Sequence, residues 1–376
     1  DYADGLVSGL REQGIEVDVY APSRFIANDN EYVRRYKPIS SFDHKQYPPD
    51  KCIYQIGNNT DFHDEITLFF LHYGGIAHMH DLCLHHLFAY FTFLKDSEIY
   101  YTLLKKWYGD VTSQEIRAFN FKSGALFWES KYVLNYPLNE EILTRAHAVI
   151  VHSEFAKTAI ANRFPDKLVH VIPQRYPGIS AQKHYKADRL KICSMGFVDP
   201  NKRVDKKIEA IAFCREAGVE VQLDIVGRLH PQCQDLPGRC AELGVADLVT
   251  FHGAVDHAVF GSFLANSDVA VVLRDPTVGE TSAVAMRALQ FGIPLIVNEV
   301  GSYAELPGFV RKIPPGPSAS RALADILREF ATTPNRYDEI SDAAFSYATR
   351  EGTFDTSIKQ YIAALETIGN DSLPVI

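Results

Sequence analysis

Apolar and polar positions along this chain repeat one arrangement, a short apolar run followed by a turn and then by apolar residues three and four apart. Residues 268–273 form a nearly continuous apolar run with β-branched members, the pattern of a strand buried on both faces of a parallel sheet. Residues 274–279 turn the chain. From Thr281 the apolar positions Val284, Met286, Leu289 and Phe291 recur at helical spacing, and Gly292 with Pro294 closes that helix before a strand at 295–297. Further strands are predicted at 16–20, 52–56, 75–78, 148–151, 168–172, 190–194, 219–226 and 248–251. Helices are predicted at 3–13, 66–71 and 138–145 and over most of 318–368. Strands alternating with helices predict an α/β fold with parallel sheets. The Pro- and Gly-bearing stretch 173–178 has the composition of an interdomain linker.

The chemistry concentrates where predicted strands end. If Glu280, Thr281 and Ser282 form the first turn of a helix beyond a strand's carboxyl end, their backbone amides and hydroxyls suit an anionic ligand. The plain alternative is that Thr281 or Ser282 is only the helix N-cap. A second cluster follows the strand at 75–78, where His78, His80, His85 and His86 lie within nine positions. A metal site is one reading, but the spacing lacks the usual ligand pattern and the neighbours are apolar. After it, residues 87–108 carry Phe88, Tyr90, Phe91, Phe93, Tyr100, Tyr101, Trp107 and Tyr108, which suits core helices better than a helix lying on a membrane surface. The polar region 23–50 is too long for a plain connection and is a candidate for acceptor binding.

Composition narrows the classes. The 376 residues are enough for two to three domains, and 38 basic against 47 acidic residues give a net charge of −9, which argues against a nucleic-acid partner. No apolar run reaches the length of a membrane span. Six scattered cysteines without paired spacing read as free thiols of a cytoplasmic protein.

With these motifs in place, the chain resembles the family-4 retaining glycosyltransferases, which have the GT-B arrangement of two facing Rossmann-like domains. The resemblance rests on the 278–305 segment with its Gly292-Ile293-Pro294, on His80-Asp81 after a strand, and on the loop from Gly196 to Arg203. The departures are specific. Many members carry two glutamates separated by seven residues, and here Gly279 and Arg287 hold those places, as in a bacterial branch with Gly-Glu-Thr-Ser. Glu280 then becomes the working carboxylate. The family's diphosphate-binding lysine matches Lys202, while its arginine's place is taken by Phe197, leaving Arg203 to supply the second charge.

The resemblance implies an acceptor-side domain at 1–175, a donor domain at 176–350, and a carboxyl-terminal helix at 351–376 crossing back to the first domain. It also leads us to expect a strand and a Gly-rich turn before the first helix. The implied reaction moves a sugar from a nucleoside-diphosphate sugar to a glycan or lipid-linked acceptor, in polysaccharide biosynthesis, in the cytoplasm or at the membrane's inner face. His80, Lys202 and Glu280 are the implied catalytic residues. The donor's contacts are implied at Arg203, Gly227, Arg228, Gly253, Val255, Gly279, Thr281 and Ser282. No metal or other cofactor is implied. A sugar-nucleotide epimerase, or a non-catalytic nucleotide-sugar-binding or assembly subunit, is the alternative.

Overall fold

The structure is a computed structural model that describes residues 2–22, 24 and 36–369. The chain divides into two compact units. The first runs from the amino terminus through Pro173 and adds Val278–Glu280 and the chain from Ser357; the second holds Gln174–Thr277 and Thr281–Thr356.

In the first unit a two-residue pair, β1 (Tyr20–Ala21) and β2 (Lys37–Pro38), stands apart from a four-stranded parallel sheet. That sheet has the order β3 (Ile53–Ile56), β4 (Gly75–Met79), β5 (Ala146–Val151), β6 (Val169–Val171). The strand expected at 16–20 is thus reduced to its end. Its described partner is only Lys37–Pro38, and Pro38 has no amide to donate to a ladder. Of the polar region 23–50, residues 23 and 25–35 lie outside the described residues. The helix expected at 66–71 extends over Thr60–Tyr73, because Asn59 caps it through the amide of Asp61 and Gly74, at φ +73°, ends it.

Register decides what each face of this sheet carries. Gln55 pairs with His78, and His78 with Ile150, so Gln55, His78, His80, Ile150 and His152 share one face under the two-residue period of a strand. Tyr54, Ile56, Ala77, Met79, Val149 and Val151 point the other way, into a core shared with Phe88, Tyr100, Tyr101, Leu104 and Trp128. The aromatic stretch 87–108 is therefore largely core, with Tyr90 and Leu94 outside it. Among the described residues no helix is long and apolar enough to cross a membrane, and all six cysteines are free and buried.

The second unit holds a six-stranded parallel sheet in the order β12 (Arg311–Ile313), β11 (Leu295–Asn298), β10 (Val269–Val272), β7 (Leu190–Met195), β8 (Val221–Val226), β9 (Val249–Gly253). Counted within the unit this is 6-5-4-1-2-3, the doubly wound dinucleotide-fold order. The segment around Tyr176 is fastened within this unit: the Gln290 amide accepts from Tyr176 N at 2.8 Å and donates to Tyr176 O at 2.9 Å.

Candidate functional site

In a doubly wound sheet, ligands bind beyond the carboxyl ends of the strands where the order reverses. Here that point lies between β7 and β10. Their paired register covers only Ile192–Cys193 against Val269–Ala270, although both strands continue past it. The loops following these two strands, 196–203 and 273–282, are therefore the ones the fold presents to a ligand.

The helix at this loop does not begin where the sequence suggested. It spans Ala283–Phe291, with Ser282 extended as its N-cap and accepting from Ala285 N at 3.4 Å. Glu280 and Thr281 lie outside the first turn, because Gly279 at φ +73° and the bridge from Glu280 to Asp81 hold the chain extended there. The amide-rich helix start remains at the switch point.

Lys202 stands on the loop after β7. A Cβ built on Gly196, at φ +89°, would come within 3.0 Å of the Lys202 ammonium nitrogen, so this lysine lies across a glycine backbone. Phe197 is two-fifths exposed, with the Arg228 guanidinium 5.4 Å from its ring centre. A cation from the loop after β8 thus lies over the Phe197 ring. Gly227, at φ +151°, lets β8's exit loop run against Gly196, and Val198 N donates to Arg228 O at 2.9 Å.

Arg203 has a different part from the one expected of it. Its Nε and Nη2 donate to Asp205 at 3.1 and 2.8 Å, and its Nη1 to Asp275 at 3.0 Å. Asp275 also accepts from Gly316 N at 3.1 Å, and its own amide donates to Asn201 O at 2.8 Å. Two carboxylates offset the guanidinium charge, so Arg203 staples the loops after β7, β10 and β12 instead of offering a spare cation. Arg287, in the family's second glutamate place, lies 4.0 Å from the centre of the Tyr176 ring. Gly253, at φ +67°, ends the edge strand β9, and Val255 on its exit loop packs against the core that holds Leu264 and Val272.

Lys207 carried no functional expectation. It sits in the first turn of the helix Val204–Glu216, three residues after Val204 and four before Ile211, on the apolar face. It is 2% exposed, and its Nζ donates to Ser194 Oγ at 2.6 Å. Burial, with Arg274 and Lys202 nearby, pushes its amine well below the usual lysine range.

In the first unit His80 belongs to an interior network. Its Nδ1 lies 3.0 Å from His152 Nε2 and its Nε2 2.8 Å from Gln55 Oε1. Burial keeps His78, His80 and His152 neutral, holding the first two well below the usual histidine range and His152 at about 4. The four histidines grouped by sequence separate: His85 meets Tyr100 Oη at 3.1 Å and His86 meets Asn58 Nδ2 at 2.9 Å. His152 joins His78 and His80 instead. Its signal in the sequence was its position just past a strand end, the position His80 also has. Glu280 is buried in this unit, its Oε2 accepting from Val278 N at 2.8 Å, while Cys83 N donates to Val278 O at 3.1 Å. A Cβ at Gly279 would meet Leu82 Cβ at 2.8 Å, so this loop needs its glycine.

Comparison with known proteins agrees with this fold. Residues 178–346 match the profile of the family described as Glycosyl transferases group 1. No curated protein matches the chain. Among solved structures, WaaG, a glycosyltransferase involved in lipopolysaccharide biosynthesis, is 15% identical with a TM-score of 0.58, covering 98% of this chain and 95% of its own. Anabaena HepE in complex with UDP and glucose is 16% identical at a TM-score of 0.53, covering 81% and 80%. The S. aureus TarM G117R mutant, in complex with fondaparinux, alpha-GlcNAc-glycerol and UDP, is 15% identical at 0.50, covering 65% of this chain. This chain spans about half of TarM's length, 48%. The fold is thus the GT-B glycosyltransferase fold, and the segment 178–346 of the second unit matches the group 1 glycosyl transferases.

Proposed function

We propose that the protein is a retaining glycosyltransferase that takes a sugar from a nucleoside-diphosphate sugar and delivers it to a glycan or lipid-linked acceptor. The observation that carries this reading is the switch point of the second unit, where the start of the Ala283–Phe291 helix and Lys202 accompany the strand exits. An amide-lined helix start and a lysine are what a diphosphate leaving group requires. In this reading 176–350 is the donor domain and 1–175, with the last helix, is the acceptor domain. Arg228 supplies the cation that Phe197 cannot, Gly253 and Val255 border the base, and Thr281 and Ser282 border the phosphates. His80 and Glu280 orient sugar and acceptor, and the diphosphate itself receives the acceptor's proton in a front-face displacement. The UDP bound by HepE and TarM makes UDP the first nucleotide to try.

The test is a thermal-shift and calorimetry screen of the chain against UDP, GDP, ADP, TDP and CMP with and without Mg²⁺, followed by transfer assays with the sugars of the nucleotide that binds. A ligand at a hundred times its dissociation constant raises stability by about 2.7 kcal/mol. Metal-independent binding of one diphosphate, abolished in folded Lys202→Ala, is expected. No binding by a folded sample refutes the reading. Because Phe197 replaces the family arginine and Arg203 is held by two carboxylates, binding without turnover would instead favour a non-catalytic nucleotide-sugar-binding subunit.

A further inference from the structure

The histidine face of the first unit has a hydrogen-bond account that does not close. His152 Nδ1 lies 2.8 Å from the carbonyl oxygen of Ile172, which only accepts, so the proton is on Nδ1 and Nε2 is a bare lone pair. His80 Nε2 lies 2.8 Å from Gln55 Oε1, and Gln55 Nε2 is buried without a hydrogen-bond partner among the described residues; with the amide so placed, the His80 proton is on Nε2 and Nδ1 is bare. These two bare nitrogens point at each other across 3.0 Å. The third imidazole, His78, has its Nδ1 2.6 Å from Tyr361 Oη, and its Nε2 is buried without a hydrogen-bond partner among the described residues. One ring nitrogen from each histidine lies within 4.8 Å of the other two.

Lone pairs held this close repel unless a cation sits among them. Tetrahedral ligands about 2.0–2.1 Å from zinc stand roughly 3.3 Å apart, against 3.0 Å between His80 Nδ1 and His152 Nε2 and no more than 4.8 Å across the trio. Three neutral imidazoles with no carboxylate select a borderline transition ion over magnesium or calcium. Each ring is also held from behind by an oxygen, from Ile172, Gln55 or Tyr361, as the outer ligands of a metal centre hold its histidines. We propose that His78, His80 and His152, with the Tyr2 ring edge-on to all three imidazoles, form a three-histidine site for a first-row transition dication, zinc first. It joins β4 to the end of β5 and shares His80 with the proposed reaction, but metal binding is measured without donor or acceptor, so the two readings can fail separately.

The experiment uses the untagged full chain, stripped of metal and titrated with Co²⁺ while its visible spectrum is recorded. One Co²⁺ per chain is expected, with the intense bands of four-coordinate cobalt, displaced by Zn²⁺ and not by Mg²⁺. Folded His152→Ala should bind at least tenfold more weakly. The double variant His72→Ala/His147→Ala, which removes exposed imidazoles, should bind as the parent does. Should His152→Ala fail to fold, the parent's cobalt spectrum and its Zn²⁺-induced rise in Tm decide alone. Absence of saturable one-to-one binding by the parent overturns the site, as does undiminished binding by folded His152→Ala. The trio is then a neutral chain in which the Gln55 amide donates to His80.

Discussion

Replacing Gly227 by alanine tests how tightly the exits of β7 and β8 are joined. A Cβ at Gly227 would stand 2.2 Å from Gly196 O and 2.6 Å from Gly196 C, both backbone atoms that no rotamer can move. To restore van der Waals contact the two loops must part by about 1 Å. That weakens the flanking bonds from Gly196 N to Val226 O and from Val198 N to Arg228 O, 2.8 and 2.9 Å long. Two such bonds at about 1 kcal/mol each, with about 1–2 kcal/mol for alanine at positive φ, give a loss of roughly 3–4 kcal/mol. Gly218 is the control. Its φ of +76° also lies in the positive region that costs alanine about 1–2 kcal/mol, but a Cβ there meets nothing within 4 Å, so Gly218→Ala should cost no more than that. Urea unfolding followed by circular dichroism, compared at equal m-values, measures the difference. Gly227→Ala should also weaken nucleotide binding, since the displaced loop carries Lys202. Equal unfolding midpoints for the two variants would refute the argument.

Three further outcomes follow from buried or clamped charges. His85 is fully buried, and burial lowers its pKa to about 3. Between that value and about 6.5 the unfolded chain binds the extra proton, so stability falls as pH falls. His85→Leu should remove about 3 kcal/mol of the loss between pH 6.5 and 4, and an unchanged pH profile in calorimetric melts would count against its neutral burial. Lys207 is buried with Ser194 as its hydrogen-bond partner and no ion pair among the described residues. Lys207→Met should therefore leave stability unchanged or raise it by about 1 kcal/mol, and a loss of more than about 1 kcal/mol in urea would contradict this. Arg203→Met should cost about 1–2 kcal/mol, discounted for its partial exposure, and change diphosphate affinity less than threefold. A hundredfold loss of affinity with stability intact would restore Arg203 as a ligand.

What could be read from the sequence follows from the range over which each signal acts. The β10–helix–β11 unit was legible because its strand run, helical spacing and Gly292 closure lie within about 30 residues, and Gly292 does take the left-handed φ of +78° that ends the helix. The helix start was not placed correctly, because Glu280 is held extended by a bridge to Asp81, about 200 residues earlier. Arg203 looked like a spare cation for the same reason: Asp275, 72 residues away, shows its effect only once β7 and β10 are side by side. The histidines make the sharpest case. Counting neighbours in sequence grouped His85 and His86 with His78 and His80. Folding regroups them by two rules, the alternation of faces along a strand and the register of parallel neighbours, which bring His152 beside residues more than seventy positions away. A search that scored histidines by face and by distance from predicted strand ends would have found His152 and passed over His85, whose place is in the first turn of a helix facing Tyr100. Register is set by which apolar faces are buried together, so a site spread across strands becomes legible only when the core is known.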